Sequence, residues 1–224
     1  MKITLSARNC ENKSIFVILD AAHLIKLVRN TLGDLKTIIS KNGEAIRWYF
    51  VQELYNLQTE EGLHLANKLR RRHVEYNKYK MKVNLATQTI SDSVASSIDF
   101  SRTHLKLKQF VKSEATTEFL RVFDSIFDVM NSRSPFGKYS KSPMRRTNEK
   151  YWQKILSDSE SYISTLRYED GTLVIEGSVL LYPSENFLIV GNLNTYIKYK
   201  LLTFHNHSFS MGNYILTIKY KITA

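Results

Sequence analysis

The apolar run Ser14-Ile-Phe-Val-Ile-Leu19 is short and rich in β-branched residues. It reads as a buried strand. Asp20 follows at once, and Leu24, Leu27 and Val28 then recur at helical spacing within 21–30. The order is strand, acid, helix. Asp20 thus stands at the carboxyl end of a strand, where an acid caps a helix or serves as a functional carboxylate of an α/β fold. Ile46, Tyr49, Phe50, Leu54 and Leu57 make one stripe and predict a helix over 45–59, begun at Asn42-Gly43-Glu44 and stopped by Gly62. A long helix over 79–101 carries Val83, Ala86, Ile90, Val94 and Ile98. The next, over 115–131, turns Phe119, Val122, Phe123, Ile126, Phe127 and Met130 inward. Arg133–Lys150, with Pro135 and Pro143, reads as an exposed loop. A helix resumes near Thr147 and runs to Arg167, before a turn at Asp170-Gly171 and a short strand over 173–175. The pattern closes with a helix over 185–204 and an alternating strand over 213–223. The fold class is α+β, predominantly α-helical.

Composition supports this picture. Of 224 residues, 43% are hydrophobic and 12% aromatic, enough for a real core. Only three prolines and eight glycines are present, which favours long helices over a loop-rich β architecture. One cysteine, Cys10, excludes an internal disulfide framework and a Cys-rich zinc site, and points to a reducing compartment. No apolar run approaches the roughly 20 residues of a membrane span, and residues 1–13 carry no apolar core of a signal peptide.

Charge adds a partner class. The formal net charge is +11, which favours a polyanion such as nucleic acid. Residues 68–82 hold seven Lys/Arg against one Glu, and 133–150 hold six against one. Tyr76, Tyr79 and Tyr139 lie among them, where an aromatic ring can stack on a base. The other reading of both stretches is a solvated basic face. There is no G-x-x-x-x-G-K-[ST] segment, so a nucleotide site here is not a P-loop. His205 and His207 stand close together without a third ligand nearby.

Three blocks in fixed order say more. The first is Asp20-Ala-Ala-His23-Leu-Ile-Lys26-Leu-Val-Arg29-Asn30. The second is Asn67-Lys68-Leu, then Lys80-Met-Lys82-Val83-Asn-Leu-Ala86-Thr-Gln88-Thr-Ile-Ser91-Asp-Ser-Val-Ala95. The third is Phe127-Asp128-Val-Met-Asn131-Ser132-Arg133. Through these blocks residues 15–133 resemble the P-element family of transposases, whose members usually carry an N-terminal THAP zinc finger.

The resemblance implies an RNase H-like catalytic domain interrupted by a helical insertion. The insertion binds GTP as an assembly cofactor without needing to hydrolyse it. Catalysis in the family uses three carboxylates and two divalent metals, which stabilise the attacking and leaving oxygens of a phosphodiester; Mg²⁺ suits such oxygen ligands. Asp20 matches the second of the three acids and so a metal ligand. No acid on an earlier strand matches the first. After Phe204 the sequence departs from the family pattern, and neither the third acid nor a nearby guanine-contacting Asp is found. That change is expected to mark a truncation, frameshift or splice boundary.

Lys68, Lys82, Val83, Phe127, Asp128 and Asn131 match the family's GTP-contact positions. Their chemistry suits the ligand: lysine supplies a point charge for phosphate, a carboxylate accepts from guanine N–H donors, and Val and Phe form an apolar wall. The alternative makes Phe127 a core residue, with Asp128 and Asn131 as the polar side of its helix. The expected layout is an RNase H-like remnant over 1–33, a GTP-binding insertion domain over 34–204 and a divergent tail over 205–224. The expected function is that of a nuclear, catalytically inactive transposase fragment with partial guanine-nucleotide binding and DNA binding, able to associate with itself or with full-length transposase. The alternative is a co-opted nuclear regulator derived from a transposase.

Overall fold

The computed structural model describes residues 2–3, 15–16, 21–62, 65–132 and 136–174. Strands β1 (Lys2–Ile3) and β2 (Ile15–Phe16) pair antiparallel. The remainder of the predicted 14–19 strand, Asp20, the predicted helix over 185–204 and the final strand lie outside the described residues.

Helix α1 (Ala21–Leu35) buries Leu24, Ile25, Val28 and Leu32 along one face. It ends where Lys36 turns left-handed at φ 66°. Next comes a hairpin that hydrophobic periodicity did not predict. β3 (Thr37–Ile39) pairs antiparallel with β4 (Ala45–Arg47), with Ile38 opposite Ile46 and both buried. The turn between them needs Gly43 at φ 78°, a conformation glycine adopts at little steric cost. The predicted 45–59 helix therefore loses its first residues to the sheet, and α2 spans Tyr49–Glu60. Trp48 N–H donates to Lys36 O at 2.9 Å, closing the hairpin where α2 begins.

The predicted 79–101 helix is two helices. A short helix α3 (Arg71–Val74) and a 3₁₀ turn (Tyr76–Tyr79) precede α4 (Val83–Thr89). The chain then becomes extended at Ser91, and α5 (Asp92–Thr103) starts afresh. Ser91 Oγ accepts from Val94 N–H, the usual bond of a serine N-cap. Apolar spacing carries straight through this break because Ile90 and Val94 both enter the core.

Helix α6 (Glu114–Asn131) matches its prediction to within one residue. Its buried face is rotated, however: Leu120 and Val129 are buried, whereas Val122, Phe127 and Met130 are half-buried against the core. Residues 136–148 are mostly exposed or half-buried and hold 3₁₀ turns at Tyr139–Lys141 and Arg146–Asn148. Helix α7 (Glu149–Ile163) is shorter than predicted and buries Trp152, Leu156 and Ile163. Arg167 then exchanges backbone hydrogen bonds with Ile39 at 2.8 and 2.9 Å, extending the β3 edge. Leu173 forms only an isolated bridge to Arg167 where a strand was predicted.

One apolar core joins α1, the hairpin and helices α2 and α4–α7. The described residues are thus mostly helical with small two-stranded sheets, within the predominantly helical α+β class that the pattern predicted.

Candidate functional site

The matched residues fall on three structural supports. Lys82 is the residue just before α4, and Val83 is its first residue, half-buried against the core. What fixes this helix start is α1. Arg29 is fully buried, and its Nη2 donates to Tyr79 O and Lys80 O, both at 3.0 Å. Arg29 Nε donates to Asn30 Oδ1 at 2.8 Å, and Asn30 Nδ2 donates in turn to Lys80 O at 3.4 Å. A guanidinium with paired, directional donors suits the clamping of two adjacent carbonyls. The Arg29-Asn30 end of the first sequence block therefore holds the turn that presents Lys82 and Val83. The sequence marked these two residues as part of a motif but gave no role for them.

The same turn is anchored from below. Tyr76 is buried against Trp48, edge to face, with ring centroids 5.0 Å apart. Its hydroxyl donates to Asp34 Oδ1 at 2.9 Å, and Lys80 Nζ reaches Asp34 Oδ2 at 3.0 Å. Burial, then the Asp34 carboxylate, pushes the Tyr76 hydroxyl well above the usual phenol range. Tyr76 is therefore a core residue, correcting the expectation that it stacks on bases. Gly33 also lies under the Tyr76 ring so closely that an added Cβ would overlap it. That close approach explains a glycine inside α1 despite its helix cost.

The third block occupies the last turns of α6. Phe127 is half-buried against the core, so its core role and its place in the candidate site are compatible. Asp128 is half-buried and accepts from Ser140 Oγ at 3.2 Å, with Lys141 Nζ at 3.8 Å. Burial pushes its carboxyl up, opposed by Lys141 and the Ser140 hydroxyl. One turn earlier, Asp124 accepts from Asp92 N–H at 3.1 Å. Burial, with the neighbouring Asp128 charge, pushes Asp124 up to about 6, against the Asp92 N–H. Asn131 ends α6 and is half-buried.

Lys68 is exposed and stands on the wall of a groove of about 590 Å³ between α2, α3 and α4. The matched residues comprise two cations, two apolar side chains, a carboxylate and an amide, carried on separate elements. The groove at Lys68 is not lined by Lys82, Val83, Phe127, Asp128 or Asn131, and Asp128 Oδ2 accepts from Ser140 Oγ and pairs with Lys141 Nζ. Val83 and Phe127 pack on one common core, on helices that both contact α1. Asp20 lies outside the described residues. Among the described residues no three His, Cys, Asp or Glu side chains gather as a metal site requires. No described helix is long and apolar enough to cross a membrane.

Comparison with known proteins places the chain in a family. The chain is 29% identical over 177 residues to DNA transposase THAP9 of Homo sapiens, covering 79% of this chain and 19% of that protein. It is 30% identical over 208 residues to the Transposable element P transposase of Drosophila melanogaster, covering 92% of this chain and 26% of that one. The chain therefore spans about a fifth to a quarter of these relatives. The solved Drosophila P element transposase strand transfer complex has the same fold, with a TM-score of 0.64 at 24% identity, over 88% of this chain and 42% of that chain. A family model described as TNP-like, GTP-binding insertion domain matches residues 22–143, a span holding Lys68, Lys82, Val83, Phe127, Asp128 and Asn131, and the chain belongs to that family.

Proposed function

We propose that this chain is the guanine-nucleotide-binding part of a P-element-type transposase, acts on DNA in the nucleus, and does not cleave DNA on its own. The observation that carries this reading is the family match over 22–143, which contains every candidate nucleotide contact. The clamped α4 start and the half-buried Asp128 support it, because each presents a group of the right chemistry on a fixed element. Lys68 and Lys82 take the phosphates. Asp128 accepts from the guanine edge, and Phe127 with Val83 covers the base. Residues 34–204 form the insertion domain, and 1–33 are the RNase H-like flank. Asp20 is the one matched catalytic acid, and a single carboxylate supplies fewer ligands than Mg²⁺ usually takes.

Because the guanine-contacting Asp expected after the insertion is not matched, binding should be weak, with GTP still preferred over ATP. Losing one charge-assisted hydrogen bond costs about 1.5–3 kcal/mol. Calorimetry with GTP, GDP and ATP tests the reading. Asp128→Ala should erase the preference for guanine, whereas Lys68→Ala should weaken both triphosphates alike. Equal binding of ATP and GTP by the unmodified chain contradicts the guanine assignment.

A further inference from the structure

The groove between α2, α3 and α4 is lined by a residue whose buried amide donor folding leaves unused. Gln58 is 8% exposed and lines the groove. Its Oε1 accepts from Ala66 N–H at 2.8 Å, and this fixes which end of the amide is oxygen. Its Nε2 is buried and has no hydrogen-bond partner among the described residues. Buried polar groups are nearly always paired, so an orphaned amide donor needs an explanation. An acceptor supplied from outside the chain is one that the surroundings support.

Those surroundings are cationic. Lys68, Arg70 and Arg72 line the same groove and are exposed. Arg71, also there, is different: its Nε is paired with Glu75 at 2.6 Å. Tyr55, Leu69 and Leu85 give the groove an apolar part. Its shape is held from within. His73 is buried, its Nδ1 accepts from Arg70 N–H at 2.9 Å, and its Nε2 faces Gln88 Oε1 at 2.9 Å. With Nδ1 accepting, the ring proton is on Nε2 and is donated to Gln88. His73 therefore ties α3 to α4 and fixes the backbone from which Arg70 and Arg72 project.

We propose that this groove is a phosphate seat in which Gln58 Nε2 donates to a phosphate oxygen and Lys68, Arg70 and Arg72 balance its charge. A neutral donor surrounded by cations, with no carboxylate among the groove-lining residues, selects an oxyanion acceptor. The phosphate belongs either to a nucleotide's phosphate chain or to a DNA backbone. The inference rests on the proposed nucleotide and DNA reading only for the source of the phosphate. The donor set shares Lys68 with the proposed nucleotide site and does not include Asp128.

The test titrates the full chain with inorganic triphosphate, GTP and a short DNA duplex. The variants are Gln58→Glu, which keeps the oxygen for Ala66 N–H but puts a second oxygen where the donor stood, and the exposed Arg72→Ala. Gln58→Glu should weaken inorganic triphosphate at least tenfold, and Arg72→Ala severalfold, with unchanged circular dichroism. An accompanying loss of GTP identifies a nucleotide phosphate as the source. Loss confined to DNA, with triphosphate acting as its competitor, identifies the backbone. Should Gln58→Glu not fold, the side-chain amide signal of Gln58 in the unmodified chain must shift on adding triphosphate. Unchanged triphosphate and DNA binding in a folded Gln58→Glu, or a Gln58 amide signal that does not move, overturns the proposal. Asp128→Ala serves as the control: it removes guanine preference if the nucleotide reading holds, and leaves inorganic triphosphate binding intact in either case.

Discussion

Two basic regions of this chain use the same residue types to opposite ends. At the α5–α6 interface the arginines are consumed. Arg121 reaches Asp92 at 3.0 Å and Asp99 at 2.7 Å, and Arg102 reaches Asp99 at 2.8 Å and Glu114 at 3.0 Å. Burial tends to raise the Asp99 carboxyl, but hydrogen bonds from both arginines outweigh it and hold the group below its ordinary range. In the α2–α3–α4 groove, Lys68, Arg70 and Arg72 line the wall with no ion pair among the described residues, beside a buried donor with no acceptor. Net charge alone cannot separate these cases. Pairing does: a matched cation holds two helices together, and an unmatched one is available to a ligand.

The largest effect expected from breaking this division is at Arg29, which is fully buried and satisfies two backbone carbonyls. Arg29→Ala should cost about 3 kcal/mol of stability, since hydrogen bonds made by a charged group contribute roughly 1.5–3 kcal/mol each. Urea unfolding measures it. A loss below half that figure would remove Arg29 as the support of the Lys82–Val83 helix start.

Arg121→Ala should cost about 1 kcal/mol, because its pairs are partly exposed and screened. It should leave triphosphate binding unchanged. A variant that binds less triphosphate without losing stability would invert the comparison.

Asp124→Asn should change how stability depends on pH. The folded carboxyl is raised to about 6, above the ordinary unfolded value near 4. The folded state thus holds more protons between these values, so the ionised group opposes folding as pH rises through the window. Asparagine keeps an oxygen for Asp92 N–H and carries no charge. It should stabilise the chain by somewhat under about 1 kcal/mol at pH 8, with the gain gone near pH 4. Thermal melts across that range check the sign. A gain that persists at pH 4 would assign the effect to something other than charge.

The smallest stability effect belongs to the groove. Arg72→Ala should change stability by less than about 0.5 kcal/mol, as surface substitutions do. It should also lower the slope of log K against log salt for DNA by about 1. An unchanged slope would take Arg72 off the DNA path.

Much of the fold was legible because long helices repeat their apolar residues often enough to count. α1 and α6 could be placed from such stripes. The β3–β4 hairpin was not, since strands of three residues give no period and Ile46 fits a helical stripe equally well. The α4–α5 break was hidden because Ile90 and Val94 continue the apolar spacing across it, although Ser91 just before Asp92 is itself a start signal. For the site, resemblance named Lys82, Val83, Phe127, Asp128 and Asn131, and chemistry alone would not have chosen them. The role of Arg29 could not be read because its partners lie 50 and 51 residues away. Gln58 was invisible for a similar reason: nothing in the sequence shows that Ala66 takes one end of its amide and leaves the other.

The proposed guanine-nucleotide site rests on the α4 start and the end of α6. A ligand that binds only the folded state raises stability by about 2.7 kcal/mol at one hundred times its dissociation constant, or roughly 5–10 °C in Tm for a domain of this size. The most direct measurement is a pair of thermal melts, with GTP and with ATP at equal concentration, on the unmodified chain and on Asp128→Ala. A larger Tm rise with GTP than with ATP is expected in the unmodified chain, and equal rises in Asp128→Ala. Equal rises in the unmodified chain, or a GTP preference that survives Asp128→Ala, would contradict the proposed site.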